Sequence, residues 1–118
     1  LFDDKSKDKF LKNAEIAIDF SSRRPKNILC PPGNAKLLEY CYYGLKVVTE
    51  KNVNNSHLVI NGKNGIVLKN IGTIEEYVNS IKNLVNFKYD KNYTIQETIK
   101  SNGWNHIAKD FLDFLSSL

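Results

Sequence analysis

The sequence predicts an α/β fold, a three-layer domain with a parallel sheet between helices. Three observations carry this. Short β-branched runs, "EIAIDF", "LKVVTE" and "IVL", recur along the chain. Segments with helical apolar spacing alternate with them, and that alternation implies right-handed parallel crossovers. The length of 118 residues fits one domain with one modest core.

Taken in order, residues 3–14, "DDKSKDKFLKNA", read as a helix with Phe10, Leu11 and Ala14 on one side. Asp3 and Asp4 suit its positive N-terminus. A strand follows at about 15–20. Residues 21–33, "SSRRPKNILCPPG", hold all three prolines, and a loop of that length is often functional. Residues 34–43 form a helix with Asn34 as N-cap and Gly44 as its stop. Leu37, Leu38, Cys41 and Tyr42 can cover its buried arc. "LKVVTE" is the second strand. Residues 50–64 are irregular, with one helical turn around "NNSHLVI", and "NGKNG" turns the chain into the third strand at 66–68. Thr73 and Glu76 form a capping box for a helix whose stripe is Ile74, Tyr77, Val78, Ile81, Leu84 and Val85. "YTIQETIKSNG" is a weaker helix ending at Gly103. The last helix begins at Trp104 and should turn Trp104, Ile107, Ala108, Phe111, Leu112 and Leu115 inward.

Composition excludes several classes. The net charge of +4 comes from 17 bases interspersed with 13 acids, so no basic block argues for nucleic acid. Cys30 and Cys41 are too few for a disulfide scaffold, and no Cys/His spacing matches zinc. No apolar run is long enough to span a bilayer. No Ser-His-Asp or Cys-His arrangement supports hydrolase chemistry. The chain opens at Leu1 without Met, and a fragment of a longer protein is expected.

The central puzzle is Glu39, a carboxylate among leucines and tyrosines in "NAKLLEYCYYGLKVV". A solvated surface Glu is one reading. The other starts from topology, because ligands of open parallel sheets bind beyond the strand C-termini, where loops enter helices. Gly33 lets backbone approach a ligand closely. The free N–H groups at 34–37 and the helix dipole favour a phosphate by about 0.3–1 kcal/mol. Lys36 adds a cation in the first turn. Glu39 lies one turn on, roughly 4–5 Å along the axis. A carboxylate there can accept from two vicinal ribose hydroxyls, so the pattern describes a nucleotide.

The stretch "AKLLEYCYYGLKVVTEKNVNNSHLVINGKNGIVL" resembles the C-terminal domain of GT-B glycosyltransferases, particularly the family-4 (group 1) enzymes. "TIEEYVNSIKNLV", "WNHIAKDFLDFL" and "FLKNAEIAIDFSSRR" extend the resemblance over about residues 9–118. It implies that residues 1–118 are a truncated Rossmann-like, nucleotide-sugar-binding domain. Glu39 would then hold the donor ribose, and Gly33, Asn34, Ala35 and Lys36 would face its phosphates and sugar. It also implies metal-independent, cofactor-free transfer of a sugar from a nucleotide-diphosphate donor to a glycan or lipid-linked acceptor. The missing N-terminal domain of the same protein would bind that acceptor. Pro31 stands where many relatives carry a Glu that contacts the sugar. Lys46 replaces a usual Pro, and His57 stands where an acid is common.

Other residues read plainly. His57, Arg23 and Arg24 could reach an anion or be ordinary solvated groups. His106 reads as a surface or helix-packing group, Tyr42 and Tyr43 as packing groups, and Trp104 as a core anchor. The intact enzyme is expected in the cytoplasm or peripheral on the inner membrane face. The competing reading is a non-catalytic α/β module that binds a nucleotide or a protein. A truncated sheet should expose apolar surface, so a homo-oligomer is expected as well.

Overall fold

The computed structural model describes residues 3–20, 35–51, 57–69 and 71–118. In chain order the elements are α1 (Asp4–Asn13), β1 (Ile16–Asp19), α2 (Ala35–Tyr42), β2 (Lys46–Glu50) and β3 (Gly65–Leu68). Three helices follow, α3 (Ile74–Val85), α4 (Lys91–Asn102) and α5 (Trp104–Ser116). The strands form one sheet in the order β1-β2-β3. Both pairs are parallel, with Val48 opposite Ile18 on one side and Ile66 on the other. The expected parallel strands are therefore present, and β2 and β3 do not form a hairpin. Of the irregular stretch expected at 50–64, residues 57–58 and 62–64 are turns, Asn61 forms an isolated bridge with Gly65, and residues 52–56 lie outside the described residues. The 21–33 loop also lies outside them.

Strand alternation sends side chains to two faces. Ala17, Val47 and Val67 meet Leu37, Cys41 and Tyr40 of α2 on one face. Ile16, Ile18, Val48, Ile66 and Leu68 meet Tyr77, Ile81 and Leu84 of α3 on the other. The result is three layers: helix, sheet, helix. α1 joins the α2 side through Leu11, which packs with Ala17 and Leu45. Burying Cys41 pushes its thiol up to about 11, and the thiol donates to the Leu58 carbonyl at 3.7 Å.

The helix ends are closed by local chemistry. The α1 N-cap is Asp3, which accepts from the Ser6 amide at 2.7 Å. α2 ends in a Schellman turn: Gly44 N–H reaches Cys41 O, and Leu45 N–H reaches Tyr40 O. Gly44 has φ +67°, a conformation that costs other residues about 1–3 kcal/mol. The α3 capping box forms as expected, with Thr73 N–H on Glu76 and Glu76 N–H on Thr73. At the other end, Lys46 Nζ donates to Leu84 O at 2.8 Å, placing a cation where the helix dipole is negative. α4 packs on α2 through buried Thr94 and Thr98, with Asp90 as N-cap.

Two expectations fail. α5 turns nothing inward: Trp104 is 85 % exposed and no α5 residue is buried. Trp104 is thus not a core anchor. The stripe fits an amphipathic helix, but among the described elements α5 makes its main contact with α4. On α3, Tyr77 and Leu84 are buried while Ile74, Val78 and Val85 are exposed. On α1, Phe10 is exposed as well. A sheet of three strands is only about 10 Å across between its outer strands, too narrow to cover a whole stripe.

Two outcomes are expected. Gly44→Ala should lower urea-unfolding stability by about 1–3 kcal/mol without changing the m-value. Between pH 9 and 11 the unfolded chain releases the Cys41 proton and the folded chain keeps it, so stability should fall as pH rises. Cys41→Ala should flatten that slope in pH-dependent urea melts. A residual slope should remain from Tyr40 and Tyr89, both raised by burial.

Candidate functional site

Parallel pairing of β1 with β2 decides the orientation of the segment between them. The chain leaves β1 at Asp19 and must return to the start of β2 at Lys46. α2 therefore runs back from the C-terminal edge of the sheet, and its N-terminus faces that edge. Ala35 and Lys36 lie exposed in its first turn, which carries no acidic residue. Gly33 and Asn34 lie outside the described residues. Leu37 and Cys41 hold the helix to the sheet, so Glu39 is set on a flank.

Glu39 is neither free in solvent nor buried. Its carboxylate is 32 % exposed and pairs through Oε1 with Lys7 Nζ of α1 at 2.9 Å. That hydrogen bond, then the carboxylate's charge, raises the Lys7 pKa. Beside it Tyr43 donates to Asp8 at 2.6 Å, and Asp8 pairs with Lys12 at 2.6 Å. The Lys12 bond, then the Tyr43 bond, lowers the Asp8 pKa. Asp8 in turn raises the Tyr43 pKa. These are exposed pairs, individually worth little. Tyr40 lies within the field of both Asp19 and Glu39, and its pKa is raised first by burial and then by those charges. A strip of polar groups thus runs from α1 across Glu39 toward the end of β1.

A second polar group lies at that same edge and was not singled out from the sequence. Asp19, Thr49 and Glu50 end β1 and β2, and all three are buried. Thr49 donates to Asp19 Oδ2 at 3.0 Å. Glu50, 1 % exposed, accepts the Gly72 amide at 2.9 Å. The β3–α3 connection is thereby tied to the end of β2. Gly72 allows this approach because a β-carbon there would overlap the Leu68 and Tyr77 side chains. Phe20, just past β1, stacks tilted on Tyr77 with centroids 4.7 Å apart. The available signal was a carboxylate closing each apolar run, "EIAID" and "LKVVTE". Buried carboxylates need such partners.

His57 does not join Glu39. It lines a separate groove of about 360 Å³ with Lys63, Tyr93, Glu97 and Ser101, between the 57–64 turns and α4. His106 is a surface group paired with Asp110 at 3.3 Å. Tyr42 donates to Asn102 O at 3.4 Å and Tyr43 to Asp8, so both serve helix packing. Cys41 is buried and free. Among the described residues, no helix is long and apolar enough to cross a membrane, and no three His, Cys, Asp or Glu side chains cluster as a metal site would.

No family model, curated protein or solved structure matches the chain. The functional reading therefore rests on the residues and their arrangement.

Glu50→Ala is expected to cost about 2–4 kcal/mol in urea melts, because the Gly72 amide loses its buried acceptor and a cavity opens. A loss below 0.5 kcal/mol would mean that the connection is not anchored by this carboxylate.

Proposed function

We propose that the chain binds the nucleotide-diphosphate sugar donor of a metal-independent glycosyltransferase, as the Rossmann-like C-terminal part of a GT-B enzyme. One observation carries the reading. The parallel β1–α2–β2 crossover directs the α2 N-terminus, with exposed Lys36, toward the C-terminal edge of the sheet, and Glu39 sits one turn below. The helix end and Lys36 suit a diphosphate. The second oxygen of Glu39 has no hydrogen bond among the described residues and suits a ribose hydroxyl, while Lys7 fixes the first oxygen. The acceptor, a glycan or lipid-linked glycan, would lie on another domain of the intact enzyme. That enzyme would work in the cytoplasm, at the inner membrane face where lipid acceptors are met.

A second reading is a non-catalytic α/β module that binds a nucleotide or a protein. The exposed apolar face of α5 favours it.

The donor reading is tested by calorimetric titration of uridine, guanosine and adenosine diphosphates into the wild type, Glu39→Gln and Lys7→Ala. Glu39→Gln is expected to weaken the preferred nucleotide about ten- to a hundred-fold, the scale of charge-assisted hydrogen bonds. Its melting temperature should barely move. If Glu39 serves only as a strut to α1, both variants should lose the same small stability and neither should alter nucleotide affinity. That result, or no binding of any nucleotide to the wild type, would overturn the proposal.

A further inference from the structure

The buried face of α4 is polar. Such a face is ordinarily apolar, yet here it carries Thr94 and Thr98, and Asn64 of the facing segment is buried as well. These groups are satisfied within the protein. Thr98 Oγ1 donates to Thr94 O at 2.8 Å. Asn64 donates to Leu58 O and accepts the Ile60 amide, each at 2.7 Å. Together they floor the groove of about 360 Å³ between α4 and residues 57–64. The rim is different. His57 and Lys63 line one wall, and Tyr93, Glu97 and Ser101 line the other, all of them exposed. Among the described residues, no hydrogen bond or ion pair engages these five side chains. The groove thus has a finished floor and an open set of donors and acceptors around it.

We infer that this groove binds the sugar ring of a neutral carbohydrate. Each hydroxyl of a sugar both donates and accepts, and the walls answer both needs. Lys63 and His57 supply donors, the Glu97 carboxylate accepts from two hydroxyls, and Ser101 does either. Tyr93 is 55 % exposed, and its electron-rich ring face suits the weakly positive C–H bonds of a sugar. The volume lies within the range of small-molecule sites. Charge argues against other ligands. Lys63 is balanced by Glu97 and Asp90 on the opposite wall, so no cationic field favours a phosphate. A free amino acid would rest on exposed ion pairs, which contribute little. The site is also separate from the one proposed for a nucleotide. Residues 57–64 lead into the start of β3, and Asn64 O accepts from the Val47 amide. The groove therefore lies toward the N-terminal edge of the sheet, while the α2 N-terminus faces the other edge. The eight residues of α2 span about 12 Å between them. The inference is independent of the donor-site reading.

The test is a heteronuclear NMR titration of the 118-residue chain with maltose, lactose and diacetylchitobiose, each to about 20 mM. At least one of these sugars should shift the amides of 60–64 and 93–101 with a Kd of about 0.1–5 mM, leaving those of 35–40 in place. Tyr93→Ala and Glu97→Gln should each weaken that sugar about ten-fold or more. Both side chains are exposed, so the rest of the spectrum should keep the dispersion of the wild type. Lys100→Ala, on α4 but outside the groove, should leave the affinity unchanged. No shift with any of the three sugars would overturn the inference, as would binding that survives both groove substitutions. Shifts of the same amides with free lysine or glutamate, and none with sugars, would reassign the groove to a zwitterion and overturn it as well.

Discussion

A central parallel strand cannot leave either face in water, and β2 is that strand. Val47, Val48, Thr49 and Glu50 are all buried. Val47 requires α2 and Val48 requires α3, so the two helical layers follow from two adjacent valines and the pleat. The short connections around β2 obey the same demand. The turn at Gly44 must bring the chain from α2 into β2 within a few residues, and only a left-handed residue does so. Lys46 opens the strand on the α3 side and its ammonium reaches the end of that helix.

The polar groups at the end of the sheet follow from the same burial. A parallel strand that finishes inside the molecule must end on groups that can be satisfied there. Asp19, Thr49 and Glu50 do so by bonding to one another's elements and to Gly72. This gives the edge beneath the α2 N-terminus a fixed shape built from buried, hydrogen-bonded groups. Glu39 differs from them. Among the described residues its side chain is anchored by a partly exposed ammonium on α1, and such an anchor is easily exchanged for another donor.

Most of the architecture was legible because periodicity and capping act locally. The alternation in "EIAIDF", the β-branched run in "LKVVTE" and the reciprocal Thr73–Glu76 pair each need only a few neighbouring residues. What failed depended on distant ones. Periodicity identifies the apolar side of α5 but not what covers it, and the core it was expected to join is already closed by Tyr77, Leu84 and Leu37. The outer half of the α3 stripe failed for lack of sheet width. At the candidate site, the placement of Lys36 and Glu39 on one helix could be read from spacing alone. The partner of Glu39 could not be, because Lys7 belongs to an element joined only by the tertiary fold. Asp19 and Glu50 look like ordinary solvated carboxylates in sequence, because their burial depends on the neighbouring strands and the β3–α3 connection.

The two sides of the sheet are fastened by different means. α3 has its first turn closed by a capping box and its Leu84 carbonyl met by Lys46, over an apolar contact with β2. α1 is held to α2 mainly at the surface, through Lys7–Glu39 and Tyr43–Asp8, with Leu11 as its one buried side chain. Amide hydrogens of α3 should therefore exchange only when the whole domain opens, while α1 can lift away on its own. Ionic strength separates the two. A Debye length of about 10 Å at 0.1 M shrinks to about 3 Å at 1 M, loosening the α1 side and leaving the α3 side as it was. Salt thus acts first on the charged seam that carries the counterion of Glu39, and hardly on the apolar seat of α3.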